Sequence, residues 1–324
     1  SIRKHFDVLR TAGASAREML IAAAALEWGV PAVGLVARDH AVHHDASGRS
    51  AAYGDLVATA AELEVPEDIT FKDPADYRYI GKSMDLIDGD AMTTGTAMYG
   101  TDTVLPGMLY ASVEHCPVFG GKLKSYDDAG ALKIKGVKQV VRMPEPTSPP
   151  GFNPLGGIAV LASNTWSAEQ GRKALAVEWD TGLNAVYDSE SYRQQLVDTS
   201  RQAGKMVLNR GDVSAGFENA ASVIEADYYA PHLSHAPMEP PAATATMHDD
   251  GSVELWSATQ HPQAVQETVA NLLGIDKSKV IVNVTLLGGA FGRKSKADFS
   301  AEAAWLARQT GKPVKVSWSR EDDI

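Results

Sequence analysis

Cysteine is almost absent: 324 residues hold one, Cys116. A disulfide framework, a four-cysteine zinc site and iron–sulfur ligation by this chain alone are therefore excluded. The redox compartment stays open, because there is no pair to oxidise. Basic charge is in deficit. Thirty Lys and Arg stand against 41 Asp and Glu, a formal net charge of −11. No basic face supports a nucleic-acid partner, and a polyanion would be repelled. Long apolar runs are missing too. The longest, Met19 to Leu26, falls far short of the roughly 20 residues needed to cross a bilayer. There is no internal repeat and no low-complexity segment. What remains is ordinary globular composition, 44% hydrophobic and 22% charged. It argues against long disorder, and the length suffices for two or three domains with sizeable cores.

The chain opens on Ser1 and closes on Arg320 to Ile324, straight after the strand-like Pro313 to Trp318. It reads as a segment of a longer or cleaved polypeptide, with any targeting signal outside it.

Apolar periodicity divides the chain into three regions. In the first, residues 1–85, an Ala-rich helix is expected over 7–28. Asp7 would be its N-cap, Gly29 and Pro31 its stop, and its nearly all-round apolar surface would be buried. A hairpin-like stretch (34–37 and 41–43) and a helix from Tyr53 follow. In the second, residues 86–184, short strands are expected within Val104–Val113, Leu132–Val141 and Gly157–Ala162. Ser167 to Trp179 grades from helix into strand, and Pro144–Pro154 is a loop. In the third, residues 185–324, helices are expected at 189–203, 212–221, 262–273 and about 296–310. Strands are expected at Val223–Tyr229, Val253–Trp256 and Lys279–Leu287. The fold class is α/β, in its mixed α+β form.

The most informative stretch is a β-branched strand, a Gly-rich loop (Gly288-Gly289-Ala290-Phe291-Gly292-Arg293) and a helix. Glycines let backbone approach a ligand closely, and a helix start offers unpaired N–H groups. Ser295 with Asp298 resembles a capping box. The loop is neither a P-loop nor G-x-G-x-x-G. It reads equally as an oxyanion cradle and as a plain tight turn. Ser257-Ala258-Thr259-Gln260-His261 ends a strand. Gln260 there can present an amide donor, although a simple helix cap by Ser257 or Thr259 explains the run more economically. His232, His235 and Glu239 lie among prolines that forbid a helical metal motif, so structural roles are favoured over a metal site. His40, His43 and His44 read as an exposed turn. Cys116 reads as a small buried residue.

Taken together, these separated features resemble one family, the molybdenum-binding subunits of the xanthine oxidase family. Ala258-Thr259-Gln260 followed by Leu287-Gly288-Gly289-Ala290-Phe291-Gly292-Arg293-Lys294 is similar to that family's Thr-Gln pair and Gly-Gly-x-Phe-Gly loop. His235-Ala236-Pro237-Met238-Glu239-Pro240 resembles its His/Glu strand. Tyr99-Gly100-Thr101-Asp102 and Leu105 to Ala111 resemble its hammerhead domain. Ala14-Ser15-Ala16-Arg17 and the helix beyond resemble an element that lies near the C-terminus in most members. Its early position here is similar to the isoquinoline 1-oxidoreductase β-subunit branch, which includes membrane-associated aldehyde dehydrogenases.

The resemblance implies an N-terminal helical region, a hammerhead-like α/β domain and the first lobe of a molybdopterin-binding domain. It implies a molybdenum hydroxylase that oxidises an aldehyde or N-heterocycle with water-derived oxygen. The cofactor would be molybdopterin with molybdenum, in the cytosine dinucleotide form. Electrons would pass to [2Fe-2S] clusters on an iron–sulfur small subunit. The other partners would be the remainder of the large subunit and a small-molecule substrate, without nucleic acid. A periplasmic or membrane-associated location would follow. Carried onto this chain, Gln260, Gly288, Gly289, Ala290, Phe291, Gly292 and Arg293 would bind the cofactor. Gln260 would donate its amide to a metal oxo group, and N–H groups around Ala290, Phe291 and Gly292 would hold further oxygens. Many relatives carry Glu where this chain has Ser295, so xanthine-type specificity is not implied. The general base is expected beyond Ile324, so no catalytic residue is assigned here. The rivals are a non-catalytic binding or assembly module that keeps the fold without the cofactor, and a nucleotide-binding domain using the Gly-rich loop.

Overall fold

The computed structural model describes residues 2–324, which form two compact units, one ending at Gly89 and the other starting at Asp90.

In the first unit, helix α1 (Ile2–Trp28) is followed by strands β1 (Val36–Arg38), β2 (Ala41–His44) and β3 (Arg49–Ala52), then by helix α2 (Tyr53–Ala61). The strands form an antiparallel sheet in the order β1-β2-β3. β3 goes beyond the expected hairpin, because Arg49–Ala52 lacks the β-branched residues that mark a strand. Ala23, Ala24, Leu35, Val42, Leu56 and Ala60 make the core. The small alanines of α1 let α2 and the sheet approach closely. Two expectations fail in α1. Asp7 lies inside the helix rather than capping it. The helix is also only partly buried, with Val8, Leu9 and Leu26 exposed, since only part of its length has elements to pack against.

The second unit contains α3 (Gly89–Thr94, beginning at the junction), β4 (Leu109–Glu114), β5 (Lys122–Asp127), β6 (Val137–Arg142), β7 (Ile158–Ala162), α4 (Thr165–Lys173) and β8 (Ala176–Asp180). It continues with α5 (Ser189–Ser200), α6 (Val213–Glu218), β9 (Ala242–Met247), β10 (Val253–Ser257), α7 (Pro262–Leu273), β11 (Val280–Val284), α8 (Asp298–Thr310), β12 (Val314–Ser317) and α9 (Arg320–Asp323). Seven strands form one sheet in the order β11-β10-β9-β12-β4-β7-β6, so strands from both sides of residue 185 share it. β5 and β8 pair separately. β7 is buried along its whole length between β4 and β6, hence its unbroken apolar run.

β9, like β3 and β5, is a strand that sequence reading missed. Ala242–Met247 has little β propensity, yet antiparallel pairing with β10 and β12 holds it extended. The opposite error concerns Val223–Tyr229, which alternates correctly but is irregular and largely exposed. Alternation alone makes no strand without a hydrogen-bonded neighbour. The first part of the expected 132–141 strand is a 3₁₀ turn, Ala131–Lys133.

α8 packs on β9, β10, β12 and α7. Its Phe299, Ala301, Ala303, Ala304, Leu306 and Ala307 are fully buried. Gly274 and Gly311 end α7 and α8 in the left-handed conformation, at φ +64° and +62°. No helix among the described residues is long and apolar enough to cross a membrane.

Candidate functional site

Strand direction gathers the site. β10 and β11 run parallel in the register Ser257 opposite Val284, so Thr259–Gln260 and the Gly-rich loop leave the sheet at one edge. β9 is antiparallel to β10, with Ala243 opposite Ser257. Its entry segment, including Glu239, therefore reaches the same edge. β12 ends there too, because Ser317 pairs with Ala242. Ligand crevices of α/β sheets lie outside such carboxyl ends.

Three hydrogen bonds lock the Gln260 segment onto the loop. Gln260 N–H and Thr259 Oγ1 both donate to the Lys294 carbonyl, at 3.0 and 3.1 Å. The Gly292 N–H donates to Gln260 Oε1 at 2.9 Å. That bond orients the side-chain amide: its oxygen faces Gly292, and both hydrogens on Nε2 remain for another acceptor. The expectation that Gly292 N–H would face a ligand is corrected accordingly, because Gln260 uses it. Upstream, the N–H groups of Gly289, Ala290 and Phe291 have no acceptor among the described residues. Gly289 and Phe291 have φ of +91° and +53°, with Ala290 between them outside that region. Successive N–H groups along a turn of changing hand form an anion-binding concavity.

Side-chain space agrees. A methyl group on Gly292 would meet nothing nearer than His235 Nε2 at 3.8 Å, and its φ of +98° strains any residue with a Cβ. Phe291 is 72% exposed. An oxygen-rich ligand thus finds three backbone donors on the loop and one amide donor on the Gln260 segment fastened to it.

Arg293 is turned elsewhere. Its guanidinium is 3.2 Å from Asp298 and 3.4 Å from Asp323, and lies 4.8 Å over the Trp318 ring. Its charge is spent inside the protein. Asp298, held by Arg293 and by Lys296 at 3.4 Å, makes no capping box with Ser295. Ala297 is the N-cap of α8, and Arg293–Ser295 is a 3₁₀ turn.

Below the loop sit groups that sequence reasoning did not identify as partners. Lys294 is completely buried, its Nζ 2.7 Å from Glu239 Oε2. The same oxygen accepts Gly288 N–H at 3.0 Å, and Oε1 accepts Thr101 N–H at 3.1 Å. Thr101 is held in turn by Lys315, whose Nζ donates to its carbonyl at 2.6 Å. Burial pushes the Lys315 pKa down. Two lysines and a glutamate at such separations carry no motif. The only local signal is a Lys inside a glycine turn just ahead of an Ala-rich helix.

Beside the site, the buried Glu302 carboxylate joins His115 Nε2 at 2.8 Å and Trp318 Nε1 at 2.9 Å. Burial works against a charged His115. The Glu302 charge and hydrogen bond, with Asp322 and Asp298, outweigh it and raise the pKa.

His232, His235 and Glu239 do not form one cluster: His232 Nδ1 is 3.2 Å from Tyr187 Oη, Glu239 is taken by Lys294, and His235 lies beside Gly292. Among the described residues no group of three or more His, Cys, Asp or Glu could hold a metal. His43 and His44 lie within β2, whereas His40 sits in the exposed turn before it. Cys116 is a half-buried free thiol.

Residues 197–324 match the molybdopterin cofactor-binding domain. The chain is 33% identical to the isoquinoline 1-oxidoreductase subunit beta of Brevundimonas diminuta, over 99% of this chain and 45% of that protein. It is 31% identical to the membrane-bound aldehyde dehydrogenase [pyrroloquinoline-quinone] of Gluconacetobacter polyoxogenes, over 100% of this chain and 42% of that protein. It thus spans less than half the length of these curated relatives. Quinoline 2-oxidoreductase from Pseudomonas putida 86 superposes with a TM-score of 0.58 at 25% identity, covering 75% of this chain and 35% of that one.

Proposed function

The chain belongs to the xanthine oxidase family of molybdenum-binding subunits, in the isoquinoline 1-oxidoreductase β-subunit branch, and from that premise we propose that it forms part of a molybdenum hydroxylase acting on an aldehyde or an N-heterocycle. One observation carries the reading: the N–H groups of Gly289, Ala290 and Phe291 on the Gly-rich loop, and the Nε2 of Gln260 on the segment bonded to it, lie unengaged, and Gly292 fixes the amide's orientation.

When bound, the molybdenum–pterin group supplies two-electron oxidation of an electron-poor carbon, with water as the oxygen source. Gln260 Nε2 would donate a hydrogen bond to an oxygen of that group, and the backbone donors of Gly289 to Phe291 would hold further oxygens. Gly289 and Gly292 keep the approach clear of side chains. These donors are set by the fold before any charge develops, which is the condition for strong electrostatic stabilisation. Arg293 supports the loop from behind rather than facing the cofactor.

Three further elements belong to the proposal: the cytosine dinucleotide form of the cofactor, [2Fe-2S] clusters on a partner subunit, and a periplasmic or membrane-associated location. The resemblance to the isoquinoline branch supports all three. The single cysteine of this chain cannot ligate a cluster, so the electron exit would lie elsewhere in the polypeptide or on a partner.

The test uses the full-length subunit purified with its partners. Elemental analysis is expected to find near-stoichiometric molybdenum, with iron on a Cys-rich small subunit. Turnover of aldehydes and N-heterocycles in isotopically labelled water is expected to place the label in the product. A folded, complete complex without molybdenum overturns the proposal.

A further inference from the structure

The buried pair Glu239–Lys294 is not used by the chemistry proposed above. Lys294 has no exposed surface, and the Glu239 side chain is 8% exposed. A buried ion pair adds little stability over a well-packed apolar pair, so its geometry is the more informative property. One atom, Glu239 Oε2, accepts from both ends of the Gly-rich loop: the backbone N–H of Gly288 at its start, at 3.0 Å, and the side-chain Nζ of Lys294 at its end, at 2.7 Å. The main chain adds a second tie at the start, Glu239 N–H to Gly288 O at 2.9 Å. The Lys294 carbonyl anchors the other side by accepting from Gln260 and Thr259. Contact is close enough that a methyl group on Gly288 would fall 2.6 Å from Glu239 Cβ. With the base closed in this way, residues 289–291 are held in a turn that bonds none of their own N–H groups.

We propose that Glu239 and Lys294 are positioning residues for cofactor binding: the carboxylate staples the base of the loop, and the staple keeps the three N–H groups and Gln260 presented together. This role rests on the cofactor reading above. It also makes a statement about the cofactor-free protein, because the staple is complete within this chain.

The test compares the wild-type full-length subunit with Glu239→Gln, Lys294→Met and the double variant. Hydrogen–deuterium exchange is measured on protein produced without molybdate, and molybdenum and pterin content on protein produced with it. A single variant leaves a charge or a donor buried without its partner and can fail to fold. The double variant removes both charges and decides the matter. Its circular dichroism is expected to be that of wild type, with exchange across β9 and β10 unchanged. Exchange across residues 286–296 is expected to rise about tenfold, as a local opening. Molybdenum content is expected to fall about ten- to hundredfold, the range for losing groups that orient a metal site's contacts. Unchanged loop exchange in the folded double variant overturns the staple. Faster exchange with wild-type molybdenum and pterin content overturns its role in cofactor binding. A wild-type complex without molybdenum overturns the cofactor reading instead, and the exchange data still judge the staple.

Discussion

Gln260 accepts the Gly292 N–H through Oε1 at 2.9 Å, so one amide both fastens the loop and keeps its Nε2 hydrogens for a ligand. The side chain therefore has two separable roles, and two substitutions separate them.

Gln260→Ala removes both. In the complete assembly, turnover is expected to fall by roughly a hundred- to a thousandfold with molybdenum retained, the range for losing one preorganised donor. Gln260→Glu keeps the acceptor for Gly292 and removes the donor. It is expected to lose turnover similarly while loop hydrogen exchange stays at the wild-type level. Wild-type turnover in Gln260→Ala, with metal content verified, would remove Gln260 from the site.

Gly292→Val tests the approach to the loop. At φ +98°, a β-branched residue is strained by about 1–2 kcal/mol, and its methyls enter the space that the ligand needs. Loss of molybdenum and pterin is expected with circular dichroism preserved. Full cofactor content in the variant would contradict the assignment.

The His115–Glu302 pair makes stability depend on pH. Folding raises the His115 pKa above the ordinary 6.5, so the folded state binds the proton more tightly. The stabilisation is fully present below that value and is lost as pH rises through the folded-state pKa. His115→Ala leaves Glu302 buried with Trp318 alone. It is expected to cost about 3–5 kcal/mol at low pH, and less as pH rises. Denaturant unfolding of the full-length protein at several pH values checks this. A cost independent of pH would contradict it.

Gly157 tests the sheet. Its φ is +108°, and a methyl group there would lie 2.1 Å from the Glu114 carbonyl oxygen. Gly157→Ala is expected to destabilise by more than about 2 kcal/mol, through strain and a forced backbone shift. Gly182 has φ +61° with nothing within 4 Å, so Gly182→Ala is expected to cost only about 1 kcal/mol. Comparing the two midpoints of unfolding separates crowding from conformational strain.

Local chemistry was legible from the residues alone. Pro262 and Gly274 bracket α7, Gly311 ends α8, and the β-branched run before the glycines is β11. Each depends on neighbours a few positions away, through backbone conformational preference and apolar periodicity. The same holds for the Gly-rich loop and for Gln260 at the end of β10, and hence for the family resemblance. Tertiary structure decided the rest. Strand identity followed pairing: Ala-rich β9 is a strand because β10 and β12 flank it, and Val223–Tyr229 is not one despite its alternation. Likewise, nothing local distinguishes Arg293 from Lys294. The sheet edge turns one toward Asp298 and Asp323 and sinks the other onto Glu239. A hydrogen bond or ion pair acts over about 3 Å, whereas Gln260 and Gly292 are 32 positions apart and Glu239 and Lys294 are 55 apart. Only the parallel register of β10 and β11, with β9 entering alongside, brings those positions within reach.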